Sequence, residues 1–378
     1  MTEETLCAMA LTCIPRLSQR QALEIFRSQG NSAVSLFSGT EEQLKVKMSG
    51  ISPVVLGLLF AGRKGAYERA QKEREFARKH QIQCLCYGSD AYPQRLYNCD
   101  DAPLVLYYRG NADLNCTYAL SMVGTRSCTE YGKDMCQRIV TELQSRRPDV
   151  LIVSGLAYGI DICSHRQALS AGLKTVGVLA HGLDRIYPAS HRDTAKTMMG
   201  QGGLLTEYMT GTRPERGNFL SRNRIVAGLS DGCLVVESGA TGGSLVTARI
   251  SQDYGRDVLA VPGRVGDTKS EGCNRLIARN TAALVTNGDD VLQAMNWPSA
   301  VQEKQISTQP VEQNLFAALS EEETLVTRLL AGNDGKQINQ LVVESDMPVA
   351  RVSAILFELE MKGVVRLMAG GRYHLILR

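Results

Sequence analysis

Apolar positions between residues 81 and about 295 fall in short runs, which are separated by Gly-containing turns and by stretches with helical spacing. Amphipathic stretches such as YGKDMCQRIVTELQ lie between the runs. The runs of strand length are ALSMVG (119–124), VLIVSG (150–155), KTVGVLA (174–180), GGLLTE (202–207), GCLVVE (232–237), DVLAVPG (257–263) and AALVT (282–286). Buried strands that alternate with helices are typical of βαβ units with right-handed crossovers. We therefore expect an α/β fold with a doubly wound, mainly parallel sheet.

The regions on either side have different patterns. Residues 1–80 carry apolar residues at helical spacings and predict a small helical domain. Residues 296–318 have few apolar residues and two prolines, which predicts a linker between a domain at 81–295 and a third domain at 319–378. That last region predicts three helices followed by two strands around Gly370 and Gly371, the order of a winged-helix domain.

Composition places the chain among globular proteins and excludes several classes. Of its 378 residues, 44% are hydrophobic and 21% are charged, which does not fit a disordered or collagenous protein. No apolar run approaches the roughly 18 residues that a membrane span needs. The N-terminus MTEETLCAMALTCIPRL lacks the basic segment of a secretory signal. We expect a cytoplasmic protein without a membrane partner.

Charge and cysteine content add little by themselves. The net charge of +3 comes from 42 Lys+Arg against 39 Asp+Glu, which is too small to identify a nucleic-acid binder. The 11 cysteines contain no C-x-x-C pair, and the five histidines do not fall at ligand spacings beside them. We therefore expect reduced thiols and neither a metal nor a cofactor. Any functional site must be argued from the positions of particular residues.

Two loops that follow predicted strands are candidate anion sites. The first contains Gly124, Thr125, Arg126 and Ser127, just before a helix predicted to begin near Tyr131. Backbone N–H groups at a helix N-terminus attract anions, and the Arg and Ser side chains could complete a phosphate site. The alternative is an ordinary strand-to-helix turn.

The second loop is SGLAYGID (154–161), which also joins a predicted strand to a helix. It matches neither the P-loop pattern nor G-x-G-x-x-G, so a P-loop NTPase and a dinucleotide-binding enzyme are disfavoured. Asp161 could cap the helix or order the loop.

A third segment, RPERGNFLSRNR (213–224), combines arginines with an aromatic residue. Its candidate ligand-binding residues are Arg216, Phe219, Arg222, Asn223 and Arg224, the last three placed just before an apolar helix. Arginines neutralise phosphates and an aromatic ring can stack on a base, which is the combination that single-stranded nucleic acid requires. The alternative is that Phe219 belongs to the core and that the arginines are solvated or paired.

A fourth segment, ESGATGGS (237–244), is a turn rich in glycine and serine that leads into a helix. Its candidate phosphate-binding residues are Gly242, Gly243 and Ser244. Open α/β sheets bind ligands outside the carboxyl ends of their strands, where all these loops lie. We find no serine, histidine or aspartate pattern that predicts catalysis.

Taken together, the motifs resemble those of the bacterial DNA-processing protein A (DprA/Smf) family. They occur in order between residues 122 and 277 and read VGTRSCTEYG, SGLAYGIDICSHRQAL, GLDRIYP, SRNRIVAGLS, VVESGATGGSLVTA and VPG followed by GCNRLI. The resemblance implies an extended Rossmann-like domain at 81–295, preceded by a SAM-like or helix-hairpin-helix region and followed by a winged helix.

The resemblance also implies a function. Members of the family bind and protect incoming single-stranded DNA, load RecA recombinase during natural transformation and form homodimers through the Rossmann domain, and they are not known as enzymes. Carried onto this chain, the DNA pocket would use the candidate residues of the first and third segments, with Gly242–Ser244 as a backbone phosphate site. The chain departs from the family's common pattern at His181, Leu220 and Cys163.

A second function from a different class is a Rossmann-type nucleotide N-glycosidic-bond hydrolase. Such enzymes carry the loop P-G-G-x-G-T-x-x-E, whereas the corresponding turn here reads ATGGSLVTAR. The Pro before the glycines and the Glu after them are both missing, and the chemistry needs that carboxylate as a general acid or base. The sequence therefore favours the DNA-binding interpretation.

Overall fold

The structure is a computed structural model that describes residues 2–48, 50–300, 319–331, 335–368 and 371–376. It separates into two compact units, Met1–Ala300 and Val301–Arg378. Most of the linker predicted at 296–318 lies outside the described residues, and so does Gly370 of the predicted hairpin. The boundaries predicted within the first 300 residues stay a prediction.

The larger unit begins with helices and continues as strands that alternate with helices. Its helices are α1 (Glu3–Thr12), α2 (Gln19–Ser28), α3 (Val34–Ser38), α4 (Glu41–Lys47), α5 (Pro53–Lys79), α6 (Gln94–Tyr97), α7 (Glu130–Arg146), α8 (Ile160–Ala171), α9 (Arg192–Gly200), α10 (Arg216–Gly228), α11 (Gly243–Asp253), α12 (Glu271–Ala278) and α13 (Gly288–Ala294). Its strands are β1 (Gln83–Cys86), β2 (Val105–Gly110), β3 (Ala119–Gly124), β4 (Leu151–Gly155), β5 (Thr175–Val178), β6 (Gly202–Thr206), β7 (Gly232–Glu237), β8 (Asp257–Ala260) and β9 (Ala283–Leu284).

The nine strands form one sheet in the order β1-β2-β6-β5-β4-β3-β7-β8-β9. Strands β3 to β9 pair in parallel, and each of the seven apolar runs contains one of them. Strands β1 and β2, which the sequence pattern did not predict, extend the sheet with antiparallel pairing. The predicted doubly wound, mainly parallel fold is therefore confirmed.

The order of the strands places a crevice between β3 and β7. From β3 the chain proceeds to β4, β5 and β6 on one side, and from β7 it proceeds to β8 and β9 on the other. The loops that leave these two neighbouring strands therefore run in opposite directions along the sheet. Ligands of doubly wound folds bind at this kind of switch point, outside the carboxyl ends of the strands.

The N-terminal helices share a hydrophobic core with the sheet. Helix α1 packs against α5 and also contacts β1 and β2, so that Leu6 and Leu59 are buried in the same cluster as Leu85 and Tyr107. A polar contact adds to this packing, because Glu73 on α5 accepts hydrogen bonds from the backbone N–H and the hydroxyl of Thr210. Burial of apolar side chains from both the N-terminal helices and the sheet holds the helices against the sheet.

The smaller unit is a winged helix. Helices α14 (Glu321–Leu329), α15 (Ile338–Ser345) and α16 (Val349–Met361) surround a buried cluster, and the sheet has the strand order β10-β12-β11. Its strands are β10 (Lys336–Gln337), β11 (Val365–Met368) and β12 (Arg372–Leu375).

Helix α16 and the residue after it carry few basic groups that are available to a duplex. Arg351 Nε donates to Glu322 at 2.8 Å, and Lys362 Nζ donates to Glu323 at 2.6 Å. Both cations are therefore already paired with carboxylates of α14. Among the helices of the described residues, none is long and apolar enough to cross a membrane.

Candidate nucleic-acid interface

The crevice between β3 and β7 holds a groove with a cavity of about 590 Å³. Loops after β3, β4 and β7 line it together with one side of α10. Ten of the twelve candidate residues lie here, namely Gly124, Thr125, Arg126, Arg216, Phe219, Arg222, Asn223, Gly242, Gly243 and Ser244. The sequence segments that contain them are up to 120 residues apart, and the topology of the sheet brings them together.

Backbone hydrogen bonds to β7 and to the start of α8 hold the loop after β3 in place. Thr125 N–H donates to the carbonyl of Glu237 at 2.7 Å, and Ile160 N–H donates to the carbonyl of Thr125 at 3.1 Å. A side chain at Gly124 would overlap Ile160, and one at Gly159 would overlap the Thr125 carbonyl. These two glycines allow the loops after β3 and β4 to touch, which leaves the Arg126 side chain exposed at the mouth of the groove.

Helix α10 begins at Arg216, about nine residues before Ile225, where the sequence pattern predicted the apolar helix to start. Arg216, Phe219 and Asn223 are three and four residues apart and so share one side of this helix, the side that lines the groove. Residues two apart point in directions about 200° different on a helix, because each residue turns the chain by about 100°. Arg222 and Arg224 therefore cannot both face the groove.

Arg224 points away from the groove and belongs to a buried ion pair. Its Nη2 contacts the Glu207 carboxylate and its Nη1 contacts the carbonyl of Asp101, while the Arg224 side chain is only 12% exposed. Burial raises the pKa of Glu207, and the charge of Arg224 opposes that shift. The structure thus places Arg224 outside the lining, contrary to the arrangement expected from the sequence, because the helix starts earlier than predicted.

Ser127 is the other candidate outside the lining. Its hydroxyl accepts a hydrogen bond from Lys269 Nζ at 2.6 Å. Ser127 is exposed and Lys269 is half-buried, and Lys269 lines a neighbouring cavity of about 730 Å³ that also contains Tyr131 and Arg264. Ser127 therefore lies between the two cavities.

The mouth of the groove carries a cation on an aromatic ring. Arg126 Cζ lies 5.2 Å from the centroid of the Phe219 ring. Phe219 is half-buried, so it is not the core residue that the alternative interpretation of this segment required. The ring of Tyr187 lies 6.0 Å from that of Phe219, at an angle of 57°. The sequence pattern did not select Tyr187, because a tyrosine in a loop 32 residues earlier gives no signal of this contact.

The floor of the groove is formed by Arg222 and Asp161. Arg222 is 4% exposed, its Nη1 donates to the carbonyl of Val178 at 2.9 Å, and its buried Nε has no hydrogen-bond partner among the described residues. Burial lowers the pKa of the Arg222 guanidinium, and Asp161 only partly opposes this shift. An anion beside Arg222 would stabilise its charged form.

Asp161 is the one carboxylate among the described residues that line the groove. It orders its own loop, because the Ala157 N–H donates to Asp161 Oδ2 at 3.4 Å. Burial raises the pKa of Asp161, and Arg222 is the main opposing charge. Glu237 is occupied elsewhere, since it accepts hydrogen bonds from the N–H and the hydroxyl of Thr129 at 2.8 and 2.7 Å.

The loop after β7 offers open backbone to the groove. Gly242 and Gly243 are exposed at the start of α11, and the nearest atom to a side chain built at Gly243 would be Asn223 Nδ2, at 3.8 Å. Ser244 is buried and its hydroxyl donates to Ser238 Oγ at 2.9 Å. The backbone N–H groups of this helix start therefore face the arginines across an open cavity, an arrangement that suits a phosphate.

No group of three His, Cys, Asp or Glu side chains that could hold a metal ion occurs among the described residues. The 11 cysteines are free thiols. Burial raises the pKa of several of them, as for Cys99 and Cys233, to about 11 in each case. The functional groups that line the groove are arginines, the carboxylate of Asp161, backbone N–H groups, hydroxyls and one aromatic ring.

Comparisons with known proteins find similarity over most of the chain. A family model described as DNA recombination-mediator protein A matches residues 83–296, and one described as DprA winged helix domain matches residues 302–371. DNA processing protein DprA of Streptococcus pneumoniae is 40% identical over 203 residues, which are 54% of this chain and 71% of the relative. Protein Smf of Escherichia coli is 34% identical over 322 residues, which are 80% of this chain and 83% of the relative.

Solved structures show the same similarity. The X-ray structure of DNA processing protein A from Streptococcus pneumoniae has 30% identity and a TM-score of 0.66, and the match covers 78% of this chain and 98% of that one. A structure from Helicobacter pylori that concerns the single-stranded DNA binding mode of DNA processing protein A has 29% identity and a TM-score of 0.52, and the match covers 57% and 96%.

Proposed function

The chain belongs to the DNA recombination-mediator protein A (DprA/Smf) family, and from this premise we propose that it binds and protects incoming single-stranded DNA and loads RecA recombinase during natural transformation. The observation that supports this most strongly is the groove between β3 and β7. Three arginines, an aromatic ring and an open helix N-terminus converge there around one cavity.

Charge in the groove favours an anionic ligand. Arg126, Arg216 and Arg222 face it, and among the described lining residues Asp161 alone carries a carboxylate. Arg126 and Arg216 are exposed, so they can follow a backbone of phosphates, whereas Arg222 lies at the floor, where its Nε has no hydrogen-bond partner among the described residues. Positive grooves that track phosphates supply most of the affinity of non-specific single-strand binding.

The ring of Phe219 favours a single strand over a duplex. The Phe219 ring is half-buried and contacts the Arg126 side chain, which holds it in position. Part of the ring stays accessible to a base. Bases of a single strand can leave their neighbours and stack on such a ring, while the bases of a duplex are already stacked and paired. Stacking also tolerates any base, which suits DNA of arbitrary sequence.

The partners beyond DNA follow from the family. RecA recombinase is the partner expected for a recombination mediator, and a homodimer through the Rossmann-like domain is the expected assembly.

The hydrolase interpretation makes a different prediction, namely release of free base from a nucleotide. We expect no such release, because the groove offers Asp161 without a second carboxylate among its described lining residues.

The test is a binding titration with a fluorescent oligothymidine and with a duplex of the same length at stated salt. We expect the single strand to bind more tightly by at least an order of magnitude. The double variant Arg126→Ala/Arg216→Ala should lose most of that affinity, whereas Arg138→Ala is the control, since Arg138 lies on α7 and pairs with Glu142. Equal binding of duplex and single strand, or full affinity in the double variant, would overturn the proposal.

A further inference from the structure

We propose that the bound strand leaves the groove across Tyr187 and Tyr158, whose exposed rings stack on bases beyond the one at Phe219. This rests on the proposed function and adds a second binding element to it. Tyr187 and Tyr158 are 47% and 50% exposed, so that much of each ring is accessible to a base. Neither residue belongs to the lining of the groove.

Tyr187 continues the surface that Phe219 begins. Its ring centroid lies 6.0 Å from that of Phe219, and Arg126 Cζ lies 5.2 Å from the same Phe219 centroid. Phe219 therefore contacts both a cation at the mouth of the groove and an exposed ring outside the lining. A base that leaves Phe219 toward Tyr187 meets another accessible ring.

Tyr158 is held in place by the loop that carries Tyr187. Ser190 Oγ donates to the Tyr158 hydroxyl at 3.4 Å, and the Tyr158 ring meets the His191 ring edge-on at 4.9 Å and 72°. His191 is buried, and its Nδ1 lies 3.0 Å from the carbonyl of Leu156. The loops after β4 and β5 are thus joined at Tyr158 and His191.

Hydrogen bonds of His181 hold the loop of Tyr187 in place. The buried His181 accepts the Tyr187 N–H at its Nε2 (3.2 Å), so its Nδ1 donates to the carbonyl of Gly182 at 2.9 Å. The Thr206 hydroxyl donates to the His181 carbonyl at 2.9 Å. Because the backbone rather than the Tyr187 ring makes these bonds, the ring can be removed while the loop keeps its anchors. A fixed ring also loses little conformational freedom when a base stacks on it.

The strand could instead leave on the opposite side, past Tyr131 in the neighbouring cavity. Tyr131 is 44% exposed, but its hydroxyl donates to the carbonyl of Pro262 at 2.6 Å, and the cavity also holds Glu237 and Asp267. No ring contact joins Tyr131 to Phe219 among the described residues. The carboxylates of Glu237 and Asp267 would repel a phosphate backbone, and the missing ring contact separates Tyr131 from Phe219. We therefore favour the side of Tyr187, and Tyr131→Ala serves as the matched control.

The experiment compares two oligothymidines, of about 4 and about 16 nucleotides, which span the site sizes of single-strand binding folds. Affinities are measured at one salt concentration for wild type, Tyr187→Ala, Tyr187→Phe, Tyr158→Ala and Tyr131→Ala in the full chain. Thermal melting of each variant identifies those that fail to fold.

We expect Tyr187→Ala to weaken binding of the longer oligonucleotide roughly tenfold, as for the loss of one stacked base. The short oligonucleotide should be held in the groove with unchanged affinity. Tyr158→Ala should act in the same direction, while Tyr187→Phe and Tyr131→Ala should bind both like wild type. Equal losses with both lengths, or a loss in Tyr131→Ala and none in Tyr187→Ala, would overturn this path. If wild type binds neither oligonucleotide, the proposed function fails instead.

Discussion

The guanidinium of Arg126 lies over the ring of Phe219, with 5.2 Å between Arg126 Cζ and the ring centroid. The two residues come from different elements, the loop after β3 and the first turn of α10. A cation over a ring stabilises by about 0.5–2 kcal/mol, depending on how far it is desolvated. The contact thus positions a phosphate-binding group and a base-stacking group relative to each other.

Arg126→Ala should weaken single-strand binding and reduce its salt dependence. Removal of one phosphate contact lowers the slope of log affinity against log salt by roughly 0.7 for single strands. Binding titrations at several salt concentrations measure this slope directly, with Arg138→Ala as the control. A slope and an affinity equal to those of wild type would place the phosphate contact outside the loop after β3.

Phe219→Ala should lower affinity while leaving the salt slope nearly unchanged, because stacking releases no counterions. The expected loss is about 1–3 kcal/mol of binding free energy. The protein should stay folded, since Phe219 is half-buried, whereas truncation of a core Phe costs roughly 3–5 kcal/mol of stability. Melting and binding are measured on the same samples. A stable variant with wild-type affinity would remove the stacking role.

Gly155→Ala should disturb the floor of the groove. A Cβ there would overlap Arg222 Nη1 and Asp161 Oδ2, and Arg222 has little room to move because it is buried and bound to the Val178 carbonyl. Overpacking of this kind costs about 1–3 kcal/mol of unfolding free energy. Gly243→Ala is the comparison for stability, since its Cβ would meet nothing closer than 3.8 Å. Denaturant unfolding should rank Gly155→Ala below both Gly243→Ala and wild type.

Arg224→Ala should affect stability rather than the salt slope of DNA binding. It leaves the buried Glu207 without its partner, a change that costs roughly 3–5 kcal/mol when a buried pair is broken. Adding Glu207→Gln removes the unpaired charge and should restore part of the loss. Unfolding free energies of the single and double variants measure this coupling. If the unfolding free energy of the double variant is no higher than that of Arg224→Ala, the ion pair does not explain the loss. If Arg224→Ala lowers the salt slope of DNA binding by the amount of one phosphate contact, Arg224 belongs to the DNA site.

Acid should destabilise the protein through His165, which lies beneath the groove. Its Nε2 contacts the carbonyl of Gly155 at 2.5 Å, and burial lowers the pKa of His165 from 6.5 to about 4. Above pH 6.5 the ring is neutral in both states, so the full stability is present. Between pH 6.5 and 4 only the unfolded chain takes up the proton, and the free energy of unfolding should fall by roughly 3 kcal/mol. His165→Gln should lose this part of the pH dependence, and an unchanged pH profile in the variant would assign it to other groups.

The sequence pattern predicted the elements whose signal is local. Strands β3 to β9 are apolar runs that end in glycine or polar turns, and the loops after β3 and β7 follow from them. The side chains of Arg222 and Arg224 could not be assigned, because the residue before α10, Glu215, gives no side-chain capping bond to mark where the helix starts. Tyr187 was missed because its contact with Phe219 depends on the packing of two loops, which spacing along the chain does not encode.

A crystal structure of the full chain with a short oligothymidine tests the central claim most directly, because it shows where the strand lies. We expect a phosphate within about 3 Å of the Arg126 guanidinium or of the backbone N–H groups at Gly243 and Ser244, the normal length of such hydrogen bonds. A base should lie against the accessible part of the Phe219 ring. A strand bound on the winged helix, with the groove between β3 and β7 empty, would contradict the account.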